Sequence, residues 1–269
     1  MGVITLTSDW GTADYYIGAV KGMIYKHFPE ARIVDITHEI NKFDSGEAAF
    51  MLRHVFPSFP EGSIHIIGIN TEESIQEPHT IAFYSGQYFI GTDNGVFSMI
   101  FDGPPEWMIE LDIPHESSGF TFSSRDRFAI AAARIARGDN PKEMGDVKTE
   151  LVKKMLFKPV IGQADIRAMV IHIDGYQNLI TNIDRKTFQT FVRNHPFVIS
   201  FRSHKYKVTE VKEAYTDARP GEIVAVFASN GLLEIAINQG KAASLLGIRK
   251  NDPVVVSLIT KDDHVTTLF

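Results

Sequence analysis

The chain has 269 residues, 44% hydrophobic and 22% charged, the proportions of an ordinary folded protein with one large or two modest domains. It has no cysteine, which excludes disulfides, thiolate metal sites and a cysteine nucleophile, and its net charge of −6 argues against a nucleic-acid partner. No apolar run approaches the roughly 18 residues of a membrane span, and Met1–Thr7 lacks the basic region and cleavage site of a secretory leader, so a cytoplasmic protein with no membrane partner is expected. Val3 to Thr7 reads as a short strand ending in the turn Ser8-Asp9-Trp10-Gly11. Ile17, Val20, Ile24 and Phe28 have helical spacing, and Pro29 stops that helix. Ile33 to Thr37 reads as a second strand. Asp44 and Glu47 resemble a capping box for a helix with Ala48, Met51, Leu52 and Val55 on one face. Ile64 to Ile69 is a third apolar run.

Strand, helix, strand, helix, strand is the pattern of a parallel sheet covered by helices, whose ligands sit beyond the carboxyl ends of the strands. Asp9 and Asn70 each follow a strand directly. A further helix is expected from a cap near Ser123, with Asp126 three residues on, an apolar face of Phe128, Ala131, Ala132 and Ile135, and Gly138 as its stop. A Lys-rich connection spans Lys142 to Lys158. Beyond it the runs Ala168–Asp174, Phe197–Phe201, Tyr206–Val211, Ile223–Ser229, Leu233–Ile237 and Val254–Ile259 are strand-like, with short helices near Arg185–Val192 and Lys241–Leu246. The fold class is therefore α/β, with an N-terminal α/β domain over 1–160 built on a mostly parallel sheet and a mostly β domain over 164–269.

The phosphate loop of Walker type, G-x-G-x-x-G after the first strand, H-E-x-x-H and G-x-S-x-G are all absent. His38, His65 and His172 fall in strand-like runs and read as structural, while Met23, Met51 and Met155 read as core. Between Arg53 and Arg125 there are ten Asp and Glu and no Lys or Arg, either a solvated acidic face or a site that tolerates a cationic ligand. Four polar, glycine-bearing segments exceed what their surroundings require: Ser8–Gly11 with Asp14, Thr92–Gly95, Asp174–Asn178 with Asn182, and Ser229–Glu234 with Asn238. Singly each reads as a turn. Together they offer carboxylates for ribose hydroxyls, aromatic rings for stacking and amides for a base edge, a mixture that suits a nucleoside.

Thr5-Leu-Thr-Ser-Asp-Trp-Gly, Asp14-Tyr-Tyr-Ile-Gly with Lys21-Gly22, Val34-Asp-Ile-Thr-His-Glu-Ile, Asp93-Asn-Gly, Ile173-Asp with Asn178-Leu-Ile-Thr-Asn, and Ser229-Asn-Gly-Leu-Leu-Glu-Ile-Ala-Ile-Asn follow one another along the chain. In that order they resemble the S-adenosylmethionine hydroxide adenosyltransferases and their fluorinase and chlorinase relatives over essentially the whole length. The resemblance implies an N-terminal α/β domain, a C-terminal barrel-like β domain, and a homotrimer with ligand sites shared between subunits. It implies displacement at the ribose 5′-carbon of S-adenosylmethionine, which is substrate or ligand, with no metal and no cofactor. Water as nucleophile gives adenosine, and halide gives the halogenated nucleoside. By the same resemblance Asp9 holds the ribose hydroxyls beside Trp10, and Asp14 lies near the methionine ammonium. Phe43 and Phe122 pack against ribose and the reacting centre, and Asp174, Tyr176, Asn178, Ser229 and Glu234 reach adenine or methionine. Asn230 matches hydrolase members, where the fluorinase has arginine.

The chain departs from the family where water is activated. Hydrolases place D-P-G-V-G after the third strand, an arginine seven residues beyond its aspartate, and F-H-G-R-D before the later helix. Here Asn70 stands for the aspartate and Ser123 for the histidine. The arginine position falls at Glu77, or at Pro78 or His79 with one insertion, so no arginine is expected there. Neither an amide nor a hydroxyl is a useful base near neutrality. Three readings compete: hydrolysis with another base such as His79, Glu73 or Glu77; binding without turnover; or delivery of an anion. Ser124, at the fluorinase's halide-contacting position, serves the last, and its plain alternative is a helix cap. The candidate catalytic positions are Asn70, Ser123 and Ser124.

Overall fold

A computed structural model describes residues 2–116, 119–202 and 205–259, in two compact units, Met1–Leu156 and Phe157–Phe269. In the first unit β1 (Ile4–Ser8) is buried along its whole length. Such a strand needs cover on both faces. β1 pairs in parallel with β2 (Ile33–Thr37) on one side and β3 (Ile64–Gly68) on the other. Between them α1 (Tyr16–His27) buries Val20 and Ile24 and stops just short of Pro29. α2 (Ser45–Val55) begins where Asp44 Oδ1 accepts from Glu47 N at 2.9 Å, as the capping pattern predicts.

The rest of the sheet is a hairpin-based extension. β4 (His79–Tyr84) and β5 (Gln87–Thr92) are antiparallel around Ser85-Gly86, whose φ values of 52° and 74° mark a two-residue hairpin turn. β5 lies parallel to β3, and α3 (Val96–Ile100) leads on to β6 (Trp107–Leu111), which with β7 (Gly145–Val147) continues antiparallel from β4. The order is β2-β1-β3-β5-β4-β6-β7, parallel over its first four strands. Alternation along β3 sends Ile64 and Ile66 to a core with α1 and α4 (Ala129–Arg137), and Ile67 to a second core with α2 and α3. α4 ends at Gly138, whose φ of 103° is the left-handed cap that glycine supplies. Met23 and Met51 pack on these cores, but Met155, expected inside, is 87% exposed. Residues 148–159 form no regular element that would turn it inward.

The second unit is one sheet in the order β12-β11-β16-β9-β10-β15-β14-β13, nearly closed and barrel-like, with β8 (Val160–Ile161) added to β9 (Asp165–Ile173). The remaining strands are β10 (Leu179–Asp184), β11 (Phe197–Phe201), β12 (Tyr206–Val208), β13 (Val211–Lys212), β14 (Ile223–Phe227), β15 (Leu232–Ile237) and β16 (Pro253–Leu258). The run Tyr206–Val211, expected as one strand, is divided between β12 and β13. β9 alternates as a half-buried strand should, with Ile166, Ala168 and Val170 in the core. α5 (Arg185–Val192) is capped by Asp184, and α6 (Ala242–Leu246) follows β15. Among the described residues no helix is long and apolar enough to cross a membrane.

Candidate functional site

The carboxyl ends of β1 and β3 open side by side, and one residue ties them together. Asp9 Oδ2 accepts from Phe43 N at 2.8 Å, while the Phe43 carbonyl accepts from Asn70 Nδ2 at 3.2 Å. Lys42 Nζ donates to the Asp9 carbonyl. This needs Phe43 in the left-handed region, φ 66°, a conformation that costs a bulky residue roughly 1–2 kcal/mol. Asn70 is also left-handed, φ 48°, which asparagine tolerates. Asp9 is nearly buried, whereas the Phe43 ring is 72% exposed at the mouth.

An aromatic wall stands beside this link. The Trp10 indole stacks on His38 with ring centres 5.8 Å apart and meets Phe122 edge to face at 6.2 Å. It fits because β3 ends in Gly68: a Cβ there would lie 2.4 Å from Trp10 Cζ2. Tyr15 and Tyr16 also meet Phe122 edge-on, and the Arg125 guanidinium lies over the Phe122 ring at 5.2 Å. Asp14, next to Tyr15, is exposed. The acidic-stretch residue Asp93 is fully buried instead, accepting from Val152 N at 3.0 Å. Its neighbour Asn94 reaches the Ile69 carbonyl at 3.4 Å, so this segment braces the β3 end.

The serine pair does not cap its helix. Ser123 already has helical angles, φ −58° and ψ −32°, and its side chain makes no capping bond. Residues Ser124–Phe128 form a π-helical turn leading into α4, with Ala129 N bonded to the Ser124 carbonyl. Ser123 Oγ lies 3.4 Å from His115 Nε2. Ser124 Oγ is buried and has no hydrogen-bond partner. Such turns often occur at functional sites because they re-aim side chains within a helix.

As expected, no arginine stands at positions 77 to 79, but Arg127 on that turn reaches the same place from the helix. Only 5% exposed, it places Nη1 2.6 Å from Glu73 Oε2 and 2.8 Å from His79 Nδ1, and its Nη2 donates to the Leu111 carbonyl. His79 heads β4, at one of the positions that correspond to the family's arginine, so the charge reaches that place from the helix instead of the strand. His79 Nε2 lies 2.9 Å from the Thr71 carbonyl, which only accepts, so the ring proton is on Nε2 and Nδ1 receives the arginine. Burial pushes the His79 pKa down, consistent with this neutral form. The His115 pKa is also lowered, by burial first and by the Arg127 charge second, against the opposing pull of Asp126 and Glu73. Asp126 is buried and takes a two-point contact from Arg125, at 2.6 and 2.8 Å.

In the second unit the candidates lie on two turns and on β15. Asp174 holds the β9–β10 turn, its Oδ1 accepting from Tyr176 N at 3.0 Å and Asn178 N at 2.8 Å, with the Tyr176 ring exposed. Glu234 on β15 is buried opposite Ile180 and accepts from Tyr215 OH at 2.7 Å. Burial raises the Glu234 pKa, and the Asp174 charge raises it further. Ser229 and Asn230 form the β14–β15 turn that leads into β15 just ahead of Glu234, and Asn230 Oδ1 accepts from Leu232 N at 3.0 Å. The structure thus joins Asp9, Trp10, Phe43, Asn70 and Phe122 directly. It clusters Asp174, Tyr215 and Glu234, with Ser229 and Asn230 on the turn that enters the strand carrying Glu234.

Sequence reasoning missed His115, Arg127, Lys42 and Tyr215. Arg127 carried a signal: it is four residues before Ala131 and eight before Ile135, on the apolar face of the helix, where an arginine must be buried and paired. His115 lies in an irregular segment with no such pattern.

Residues 4–145 match the family model for the SAM hydroxide adenosyltransferase N-terminal domain, and residues 168–255 match that for the C-terminal domain. The (R)-S-adenosyl-L-methionine hydrolase of Methanocaldococcus jannaschii is 31% identical over 268 residues, covering 94% of this chain and 95% of its own. The protein of that name from Thermus thermophilus is 27% identical, with 92% and 96% covered. A fluorinase from an Actinoplanes species is 25% identical, with 68% and 72% covered. Among solved structures, an uncharacterized conserved protein from Thermotoga maritima superposes with a TM-score of 0.87 at 26% identity, covering 95% of this chain and 100% of that one.

Proposed function

The chain belongs to the SAM hydroxide adenosyltransferase family, and on that premise we propose that it binds S-adenosylmethionine and hydrolyses it at the ribose 5′-carbon to adenosine and methionine. The observation that carries the reading is the link from Asp9 through the Phe43 main chain to Asn70, beside the Trp10–Phe122 wall. A carboxylate has about four acceptor sites, so the single bond to Phe43 N leaves Asp9 capacity for two vicinal ribose hydroxyls. Asp14 is proposed for the methionine ammonium, Phe43 and Phe122 for the ribose and reacting carbon. Asp174, Tyr176, Asn178, Ser229, Asn230 and Glu234 are proposed for the adenine and methionine ends.

The displacement balances without a cofactor. Water oxygen bonds to C5′ as the C5′–S bond breaks, its electron pair passes to sulfur, and methionine leaves as a neutral thioether. Asn70 orients the water through its amide, and only the water proton needs an acceptor. The proposal extends to a cytoplasmic homotrimer with no nucleic-acid partner, for which light scattering should give about three times 30.1 kDa.

One observation favours a second reading. The buried, unpartnered Ser124 Oγ, at the start of a helix, suits an anion such as halide. Incubation with S-adenosylmethionine with and without chloride, followed by product separation, tests both. Adenosine and methionine in equal amounts, unaffected by chloride, support hydrolysis. A chloride-dependent nucleoside supports the second reading, and intact ligand in both tubes leaves binding without turnover.

A further inference from the structure

We infer that His115 is a positioning residue for this hydrolysis, drawing the proton of the attacking water through the Ser123 hydroxyl and so replacing the base that the chain lacks at position 123. The inference rests on the hydrolytic reading above and deepens it.

The geometry comes first. Ser123 is buried between Phe122, which lines the aromatic wall, and Ser124 at the π turn. His115 Nε2 lies 3.4 Å from its Oγ. That is a long contact, of the kind that tightens when substrate binds. The imidazole also meets the exposed Phe120 ring edge-on at 4.9 Å. A histidine two atoms behind a serine can do what an amide at position 70 cannot. As water attacks C5′, its proton passes to Ser123 Oγ while the Ser123 proton passes to His115 Nε2. The serine is regenerated, and the imidazolium later releases its proton to solvent.

The charges around His115 set its state. Arg127 and Asp126 face it from the π turn, Glu73 from the β3–β4 loop, and His79 from the head of β4. His79 is tied to Thr71 and Arg127, which leaves its proton-accepting nitrogen occupied. Glu73 is likewise engaged by Arg127. That leaves His115, whose Nε2 lies 3.4 Å from Ser123 Oγ and accepts when the ring proton is on Nδ1. Burial and the Arg127 charge keep it unprotonated near neutrality, so it is ready to accept.

The test compares wild type, His115→Gln and Ser123→Ala in adenosine formation across pH, with S-adenosylmethionine affinity measured by calorimetry on each. Wild-type rate should climb as pH rises through a value below the ordinary histidine value of about 6.5 and then level. Both variants should bind the ligand as wild type does, lose at least about tenfold in rate, and lose that acidic limb, a conservative part of the general-base range. Retained rate and pH limb in His115→Gln would overturn the inference while leaving hydrolysis standing. Loss of affinity in step with rate would assign His115 a structural role and also overturn it. A wild type that binds S-adenosylmethionine but forms no adenosine would remove the hydrolytic reading itself, and the inference with it.

Discussion

Arg127 Nη1 lies 2.8 Å from His79 Nδ1, and this contact fixes the protonation of a buried histidine. An arginine only donates, so the histidine nitrogen facing it must carry a lone pair. The pair organises the loop after β3: His79 Nε2 holds Thr71, Arg127 holds Glu73, and Asn70 at the loop's start holds Phe43. A π-helical turn on one element thus shapes the loop that carries a candidate water-orienting residue on another.

Arg127→Met should destabilise the protein by about 1.5–3 kcal/mol, the range for hydrogen bonds to charged groups. The larger penalty of a fully buried broken pair does not apply, because the Glu73 side chain keeps 37% of its surface in water. A urea midpoint unchanged from wild type would show that the contact holds nothing in place.

His65 is sealed between Thr5 Oγ1 and Gln87 Oε1, each at 2.7 Å, and burial pushes its pKa down to about 4. The unfolded chain takes up this proton near pH 6.5, so the folded state binds fewer protons between about 6.5 and about 4. Stability should accordingly be full above that window and fall by up to about 3 kcal/mol as pH drops through it. His65→Gln should flatten the dependence in urea titrations at pH 7 and pH 4.5. An equally steep loss in that variant would place the titrating group elsewhere.

Gly68→Ala should disturb the site at the β1 and β3 ends without touching a polar group. Its Cβ would overlap the Trp10 ring at 2.4 Å, and the indole must move off His38. Overpacking of this kind costs about 1–3 kcal/mol. Tryptophan fluorescence should shift and adenosine affinity should fall. Wild-type emission and affinity together would mean that the indole seat has room to give.

The parallel half of the first unit was legible because β1, β2 and β3 are short β-prone runs bounded by turn residues and separated by helices of clear period. β4 to β7 lack that alternation with helices. Ser85-Gly86 between two apolar stretches is nevertheless a hairpin signal that places β4 beside β5. Asp9 and Asn70 were legible from position alone, at strand ends. Their junction through Phe43 was not, since it depends on a left-handed phenylalanine that no local pattern announces. The serines at 123 and 124 look like a cap, and only the π turn at Ser124–Phe128 shows that they are not one. Met155 reads as core by type, but in an irregular segment nothing turns a side chain inward.

Asp9→Ala should weaken binding of adenosine and S-adenosylmethionine by about 1.5–3 kcal/mol, as expected for lost hydrogen bonds to a carboxylate. The substitution also frees Phe43 N, which is bonded to Asp9 at 2.8 Å. Calorimetry on both ligands checks this, and equal affinity in variant and wild type would move the ribose away from β1.

The most direct test of the account is the reaction run in 18O-labelled water without halide, with the nucleoside product examined by mass spectrometry. Attack of water at C5′ puts the label on the 5′-oxygen, so adenosine carrying one 18O atom alongside unlabelled methionine is the predicted result. Unlabelled adenosine, or S-adenosylmethionine recovered intact from a protein that binds it, would contradict hydrolysis at the ribose 5′-carbon.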